Sequence, residues 1–291
     1  MNESLDGLLL LNKPAGVTSF QALRPVKQLL PGKTRVGHTG TLDRFATGLL
    51  VVLLGKATRL VPLFTAFDKS YTGTFRFGEE TETLDPERPP RARGEAPTTD
   101  QLAAVLPRFV GRIEQVPPAY SAVHLEGERA YRRVLRGEQV QIPSREVTIH
   151  SLKLLRYDIP DAKIEIHCSK GTYVRSLARD IAEACGCGGY LTALRRDSVG
   201  PFLLKEAVAA PSREAIRPLE EVVPKIPGVR RVDLSSPTAR RVQNGAKLRE
   251  TLDPELLRGE ERFLGLYTPE GRLIAMAEQR ERAFHYILVR P

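Results

Sequence analysis

The sequence predicts a mixed α/β protein, in which a large body of strands and helices is followed by a small β-rich module. Apolar runs with the period of strands, such as Leu49 to Leu54 and Lys69 to Gly78, lie between segments that begin with helix-capping residues. Five prolines then fall between Pro201 and Pro227, and residues 229–291 form short apolar segments with glycine-punctuated turns. We therefore expect two domains, residues 1–228 and 229–291.

The first half of the body is predicted from caps, breakers and apolar periodicity. Gly7 to Asn12 is a short apolar run that predicts a central strand. Thr18 and Ser19 can cap a helix that runs to about Leu30, with a kink or a restart expected at Pro25. The next predicted elements are a buried strand at 49–54, a helix ending near residue 67 and a half-buried strand at 69–78.

The second half alternates helices with paired strands. Pro86 to Pro97 is rich in proline and arginine and predicts an exposed, mobile loop. The prolines Pro117 and Pro118 restrict the segment from Gly111 to Val123 to the edge of a sheet. The remaining predictions, in order, are a helix at 98–109, a short basic helix at 129–136, paired strands at 145–157 and 161–168, a helix at 169–185 and a strand at 189–196.

Composition and charge narrow the class of function. The 291 residues carry 44 basic and 35 acidic side chains, and the formal charge of +9 favours a polyanionic partner. There is no apolar stretch of about 18 residues, and the acidic start lacks the basic segment of a signal peptide, so we expect a cytoplasmic protein without a membrane span. Cys168, Cys185 and Cys187 are odd in number and lack metal-ligand spacing, which predicts reduced thiols and no metal site.

The stretch from Gly37 to Leu50 is the strongest candidate for a functional site. Its one carboxylate, Asp43, lies among glycines and small hydroxyl residues just before the apolar run. Two interpretations are open for Asp43: a turn or helix cap, and an acid at the lip of a cleft. Lys13 and Lys33 flank the loop, either as phosphate contacts or as ordinary surface charges.

Two later residues also have two interpretations each, and one later segment has a single interpretation. Tyr71 begins a predicted strand and is either a cleft residue or a core aromatic. Arg175 is either a surface charge or the bidentate partner of a cleft carboxylate. Ser169 to Thr172 provide small residues at the start of a predicted helix, which is a natural seat for an anion.

Six motifs, in a fixed order, carry a resemblance to a known family. They are Asn12-Lys13-Pro14-x-Gly16-x-Thr18-Ser19, Gly37-His38-Thr39-Gly40-x-Leu42-Asp43-x-x-Ala46-Thr47-Gly48, Lys69-x-Tyr71, Gln115-x-Pro117-Pro118-x-Tyr120-Ser121-Ala122, Cys168-Ser169-Lys170-Gly171-Thr172-Tyr173-x-Arg175 and Tyr190-Leu191-x-x-Leu194-Arg195-Arg196. With these motifs the chain resembles the TruB-type tRNA pseudouridine-55 synthases, in their bacterial stand-alone form. Any one motif is weak, but six in the family's order and spacing are highly specific.

The resemblance implies an activity and a set of site residues. The activity is the isomerisation of uridine to pseudouridine in the T-loop of tRNA, on a base flipped out of the loop. Asp43 would be the catalyst, Tyr71 would stack on the base, and Arg175 would pair with the aspartate. The other pocket and RNA-binding residues that the resemblance implies are Leu194, Tyr173, His38, Lys13, Lys170, Arg195 and Arg196.

The resemblance also implies a fold and a partner. The fold is the pseudouridine-synthase fold around a mixed, largely antiparallel central sheet, with residues 1–228 as the catalytic domain. Residues 229–291 would be a small PUA-like β-barrel that binds the tRNA acceptor arm. Because the isomerisation uses no oxidant, water or group donor, we expect no cofactor. The expected partner is tRNA, through its T-arm and acceptor arm, without a guide RNA, and the expected state is a monomer.

The chain departs from the family's pattern at several positions, and two alternative functions stay open. The departures are Arg44, His124, Val134, Leu135 and the proline-rich loop after Asp85. One alternative is an RNA-folding chaperone on the same scaffold, as the main role or a secondary one. The other is a synthase that acts on a different RNA stem-loop. Asp43 separates catalysis from chaperoning, because only catalysis requires its carboxylate.

Overall fold

The computed structural model describes residues 5–121, 124–125, 128–129, 133, 136, 141–257, 261–281 and 283–290. The strands, in chain order, are β1 (Gly7–Lys13), β2 (Val36–His38), β3 (Thr47–Leu54), β4 (Lys69–Phe77), β5 (Glu79–Glu80), β6 (Arg91–Ala92), β7 (Gly111–Gln115), β8 (His124–Leu125), β9 (Glu128–Arg129), β10 (Arg145–Asp158), β11 (Asp161–Cys168), β12 (Gly189–Val199), β13 (Phe202–Leu203), β14 (Arg217–Pro218), β15 (Val229–Asp233), β16 (Phe263–Tyr267), β17 (Leu273–Arg280) and β18 (Ala283–Val289). The α-helices are α1 (Ser19–Leu29), α2 (Val61–Thr65), α3 (Thr99–Val105), α4 (Val174–Ala184), α5 (Leu219–Val222), α6 (Ser236–Gln243) and α7 (Leu248–Thr251).

A ten-stranded sheet organises the described part of the body. Its order is β14-β1-β3-β12-β4-β11-β10-β7, with β2 added to β3 and β13 added to β12. The pairings are antiparallel except that of β12 with β3, where Arg195 lies opposite Thr47 and Arg196 opposite Gly48. The mixed, largely antiparallel sheet that the resemblance implies is therefore confirmed. The parallel contact sets the second half of β12 against the first residues of β3, where the candidate loop ends.

The alternation of side chains along β4 shows which face of the sheet is covered. Side chains of β4 alternate between buried and partly exposed along the whole strand, as predicted. Its buried side chains, among them Tyr71 and Phe75, pack in one core with Leu177 and Ile181 of α4. Helix α4 therefore covers the face of the sheet on which Tyr71 lies.

Helix α1 begins as predicted but does not stop at its proline. Thr18 and Gln21 exchange hydrogen bonds between side chain and backbone, which forms a capping box. The helix continues through Pro25 to Leu29, so the expected restart is wrong.

Helix α4 is shorter at its start than predicted. Ser169 to Thr172 precede it as a loop, because Gly171 adopts a φ of +83°, outside the helical region. The hydroxyl of Thr172 donates to the carbonyl of Ser169 (3.0 Å) and closes this turn. The predicted anion seat is therefore a loop at the end of β11 and not the first turn of a helix.

The basic helix expected at 129–136 falls mostly outside the described residues. Where the structure describes this region, β8 pairs with β9 as a short hairpin that contains Arg129. Val134 and Leu135, two of the departures, lie outside the described residues. The loop after Asp85 is exposed as predicted, with Arg91–Ala92 paired to β5, and its mobility stays a prediction.

The last four strands form a second sheet that packs on the first. Its order is β15-β16-β17-β18, beginning at Val229, and it carries α6 and α7. Tyr267 and Met276 of this sheet share one apolar core with Leu8 and Phe64 of the body. The predicted domain boundary and the closure of these strands into a PUA-like barrel stay predictions. No helix in the described ranges is long and apolar enough to cross a membrane.

Gly48 is a position where the fold tolerates no side chain. Its φ is +101°, and a Cβ there would lie 2.4 Å from the carbonyl oxygen of Arg196 across the parallel contact. We expect Gly48→Ala to lower the free energy of unfolding by at least about 2 kcal/mol, from backbone strain and the clash together. Gly16→Ala is the matched control, because Gly16 has a φ of +82° and open space around it, so only the strain applies. Urea unfolding checks both, and equal losses would contradict the clash.

Candidate active site

The loop between β2 and β3, which carries Asp43, is held by side chains and backbone from other segments. The hydroxyl of Ser19, at the start of α1, accepts from the N–H of Leu42 (2.8 Å) and donates to its carbonyl (3.0 Å). The N–H of Gly16 donates to the carbonyl of Arg44 (2.9 Å), and Nε of Arg44 donates back to the carbonyl of Gly16 (2.9 Å). Both neighbours of Asp43 are therefore fixed before any ligand arrives.

Arg196 holds the same loop from beneath. Its side chain is buried, and it donates from Nε to the carbonyl of Leu49 (2.7 Å) and from Nη2 to the carbonyl of Gly40 (3.0 Å). These bonds give the guanidinium of Arg196 a scaffold role, and the RNA contact that the resemblance implies for it stays a prediction. A buried charge with carbonyl partners also places positive charge under the loop.

Lys13 is likewise a scaffold residue. Its side chain is fully buried, and Nζ donates to the carbonyls of Val17 (2.7 Å) and Pro14 (2.9 Å). Burial lowers the pKa of Lys13 to about 8, and the nearby carboxylate of Asp43 opposes this shift. Lys13 is the last residue of β1 and its side chain lies inside the protein, so its burial does not support the phosphate contact, which stays a prediction.

Asp43 and Arg175 meet in the structure although 132 residues separate them. Nε of Arg175 lies 3.0 Å from Oδ2 of Asp43, and Nη2 donates to Oδ1 at 3.3 Å. The arginine comes from the first turn of α4 and its side chain is only 6% exposed, whereas the aspartate side chain is 36% exposed. Of the two interpretations of Arg175, the partner of a cleft carboxylate is the one that the geometry supports.

A second carboxylate holds Arg175 on its other side, and the sequence analysis missed it. Nη1 of Arg175 donates to Oδ2 of Asp85 (3.1 Å) and to the carbonyl of Thr83 (2.8 Å), while Nη2 donates to the carbonyl of Tyr120 (3.0 Å). Asp85 is fixed in turn, because the hydroxyl of Thr83 donates to its Oδ1 (2.6 Å). Asp85 ends an acidic, threonine-rich stretch that follows β5 and precedes the proline-rich loop, and no motif in the sequence marks it as a site residue.

The pKa of Asp43 is raised above its ordinary value of 3.8. Burial is the largest cause, since protein surrounds the carboxyl group although part of the side chain faces the cleft. The charge of Arg175 and its hydrogen bond oppose the shift, Asp85 adds to it, and Lys13 opposes it. Arg175 thus limits a shift that burial alone would make larger.

A cleft of about 550 Å³ opens beside this pair. Tyr71 of β4, Leu194 of β12 and Val174 of α4 line it together with Asp43 and Tyr173. Tyr71 and Leu194 are more than nine-tenths buried, and burial raises the pKa of the Tyr71 hydroxyl. The volume falls within the range of small-ligand sites and suits one nucleoside.

The other predicted RNA-binding residues lie around the cleft and do not line it. His38 is half-buried on β2, directly before Thr39 of the cleft wall, and burial followed by the charge of Arg196 lowers its pKa. Lys170 is exposed in the loop before α4, next to Gly171, which does line the cleft. Arg195 pairs with Asp197 (2.6 Å). Lys170 is therefore the best placed of the three to reach a phosphate.

Within the described residues, one group of side chains has the chemistry of a metal site. Asp68, His150 and His167 place their ligand atoms within 4.8 Å of one another, and Nε2 of His150 lies 3.1 Å from Oδ2 of Asp68. All three are exposed and none lines the cleft. The contact of His150 with Asp68 explains the geometry without a metal, and the absence of a metal site stays a prediction.

Removal of Asp85 should cost far more stability than removal of an exposed partner of an arginine. Asp85→Ala leaves Arg175 buried beside a single carboxylate, and we expect the free energy of unfolding to fall by about 3–5 kcal/mol. Asp161→Ala is the matched control, because the pair of Arg76 with Asp161 is about one third exposed and should contribute at most about 1 kcal/mol. Denaturant unfolding measures both; a similar small loss would contradict the role of Asp85.

Comparison with solved structures identifies the fold. A crystal structure of a Cbf5-Nop10-Gar1 complex matches with a TM-score of 0.69 at 23% identity, covering 98% of this chain and 84% of that one. A structure of an H/ACA RNP bound to a substrate RNA containing 2'-deoxyuridine matches with a TM-score of 0.68, also at 23% identity and with the same coverage. At this level of identity the likeness concerns the fold alone.

Comparison with sequences identifies the family. The family model described as TruB family pseudouridylate synthase (N terminal domain) matches residues 27–174, and that of the tRNA pseudouridylate synthase B C-terminal domain matches residues 175–223. A tRNA pseudouridine synthase B of Thermobifida fusca is 41% identical over 98% of both chains, and one of Aromatoleum aromaticum is 41% identical over 92% of this chain and 90% of its own. This chain therefore belongs to the TruB family of pseudouridylate synthases.

Proposed function

We propose that this protein isomerises uridine to pseudouridine in tRNA, at position 55 in the T-loop, and that Asp43 is the catalytic carboxylate. The observation that carries the proposal is the pair of Asp43 with Arg175 at the wall of a cleft large enough for one extruded nucleoside. Membership of the TruB family, and the name tRNA pseudouridine synthase B of the relatives, support the substrate class.

The chemistry asks for one ionised carboxylate. The reaction breaks the bond from N1 to C1′, turns the uracil and joins C5 to C1′. The hydrogen on C5 leaves as a proton and N1 gains one, so no electrons pass to another molecule. A carboxylate in the cleft has three routes: attack on C6, attack on C1′, and removal of the C2′ proton to give a glycal. All three require Asp43 to be deprotonated.

Arg175 keeps that carboxylate ionised and aimed. When RNA fills the cleft and displaces water, the cost of a buried negative charge rises, and so does the strength of its attraction to the guanidinium. Because Asp85 and two backbone carbonyls hold Arg175 independently, the arginine stays in position while Asp43 reacts.

Tyr71 and Leu194 form the walls for the base. A uracil flipped into the cleft can stack on the Tyr71 ring, a contact worth about 1–3 kcal/mol. Leu194 offers an apolar surface without directional bonds, so a detached uracil can turn against it without breaking hydrogen bonds. The side chain of Tyr173 extends the wall at the beginning of α4.

The extent of the RNA contact follows from charge and position. The net charge of +9 favours a tRNA partner, with the T-arm in the cleft and the acceptor arm on the sheet that begins at Val229. The monomeric state, independence from a guide RNA, cytoplasmic location and a secondary tRNA-folding role are parts of the same proposal that rest on the sequence.

Loss of tritium from C5 tests the activity and the role of Asp43 together. With a T-arm hairpin labelled at C5 of its uridines, the wild type should release tritium, because C5 becomes the carbon of the new glycosidic bond. Asp43→Asn should release none while it binds the hairpin within a few-fold of wild type. If the wild type binds but releases nothing, the synthase activity on this RNA is refuted; if Asp43→Asn stays active, another group is the catalyst.

The pH dependence should report the charge of Arg175. Because the pKa of Asp43 is raised and only its ionised form acts, activity should fall as the pH drops through a value above 3.8. Arg175→Met removes the charge that opposes the shift, so this acid limb should move to higher pH, while Arg175→Lys should move it less. Arg179→Met is the control, because Arg179 pairs with Asp180 outside the cleft.

A titration of the Asp43 carboxyl group, monitored by carbon NMR, compares its pKa in the wild type and in the Arg175 variants without relying on activity. An acid limb that stays in place in Arg175→Met, together with an unchanged titration of Asp43, would contradict the proposed coupling.

A further inference from the structure

Buried polar groups without a hydrogen-bond partner lie at the lining of the cleft and directly behind it. Nε and Nη2 of Arg145, Nε2 of Gln115 and Oγ of Ser121 are all buried, and none has a hydrogen-bond partner in the part of the chain that the structure describes. A buried donor without a partner is destabilising, and native proteins keep few of them. Several of them around one cleft therefore indicate a binding site for a ligand.

Two of these residues are neighbours in the sheet, and two line the cleft. Arg145, the first residue of β10, lies opposite Gln115, the last residue of β7, in the register of the two strands. Oε1 of Gln115 accepts a hydrogen bond from the N–H of Tyr173 (2.7 Å), which fixes its amide and turns Nε2 away. Arg145 and Ser121 both line the cleft that contains Asp43.

Arg145 is also oriented in advance. Its guanidinium carbon lies 4.4 Å from the centre of the Tyr173 ring, so the ring supports the flat face and leaves the N–H edge for a ligand. Gly171 forms the adjacent wall, and a Cβ there would come within 3.8 Å of Nη1 of Arg145. The absent side chain leaves room for a ligand to approach the guanidinium.

The chemistry of these donors selects an anion with several oxygens. A guanidinium is always charged and presents paired N–H groups, which match a phosphate in a bidentate way. An amide N–H and a hydroxyl beside it suit the remaining oxygens. A uracil carbonyl would satisfy one donor but would not balance the charge. Within the proposed function, the available polyanion is the RNA backbone next to the flipped nucleotide.

We infer that Arg145, Gln115 and Ser121 form a seat for a single backbone phosphate beside the extruded uridine. The inference rests on the proposed function, since it takes RNA as the ligand. The seat would bind the RNA backbone at one side of the cleft, while Asp43 faces the sugar and the base from another side. Tyr173 would act in two places, as part of the base pocket and as the support for Arg145.

Neutralisation of single phosphates tests the seat directly. The probe is a T-arm hairpin, unmodified or carrying one methylphosphonate at each linkage around the target uridine in turn. Arg145→Gln should bind the unmodified hairpin about 10- to 100-fold more weakly, the range expected for a lost charge-assisted hydrogen bond. The slope of log K against log salt should fall by about 0.7–0.9, corresponding to one phosphate. One particular methylphosphonate should weaken wild-type binding and leave Arg145→Gln unaffected.

Two variants serve as controls. Arg112→Gln removes the same charge from the neighbouring strand, where the side chain is 79% exposed and lies near Glu146, and should leave the slope unchanged. Arg145→Lys keeps the positive charge but loses the planar guanidinium that stacks on Tyr173. Compared with Arg145→Gln, it should restore the salt dependence of binding but only part of the affinity. Circular dichroism and thermal melting establish that each variant is folded.

The outcomes separate this inference from the proposed function. If Arg145→Gln keeps the wild-type slope and responds like wild type to every methylphosphonate, the phosphate seat is refuted even where tritium release depends on Asp43. If the loss in Arg145→Gln is the same for all modified hairpins, the donors bind the base and not the backbone, which also refutes it. Absence of tritium release in the wild type would refute the synthase, whatever the binding data show.

Discussion

Arg175 is the side chain on which the arrangement of the site depends. It is buried, it contacts Asp43 from the loop after β2 and Asp85 from the loop after β5, and it lies in the first turn of the helix that covers the sheet. A lone charge at that depth would cost several kcal/mol, whereas two carboxylates and two backbone carbonyls satisfy it. One guanidinium thus binds three segments together. The position of the reactive acid is therefore a consequence of core packing and not of the loop alone.

The loop around Asp43 gains its rigidity from the topology of the sheet. The parallel contact of β12 with β3 is possible only because Gly48 has no side chain, and it brings Arg196 under Gly40. Ser19 and Gly16 fix the loop from the opposite end. Such pre-organisation matters for a reaction that breaks and remakes a bond to one sugar carbon, because small displacements of the catalytic group are costly.

The sequence predicts the helices and strands well, but it predicts poorly which charged side chains are buried. Strand periods, the cap at Thr18 and the motif around Asp43 are local signals, and the structure has β4, α1 and the candidate loop where they were expected. Lys13 and Arg196 are RNA contacts in the resemblance, and basic residues are usually exposed. The structure buries both: Lys13 bonds to carbonyls of the turn that follows it, and Arg196 bonds to carbonyls of segments about 150 residues away, which no local pattern reveals. The same applies to Asp85, whose partner lies 90 residues away.

The buried cations around Asp43 also bear on how the site responds to RNA. Burial lowers the pKa of Lys13 and of Lys69 to about 8 in each case, whereas a guanidinium is always charged in proteins. As a bound RNA removes water from the cleft, the pKa of Asp43 is pushed further up. The permanent charge of Arg175, in direct contact with the carboxylate, is then what keeps Asp43 ionised. An arginine suits this position better than a lysine because its charge survives the desolvation that the reaction requires.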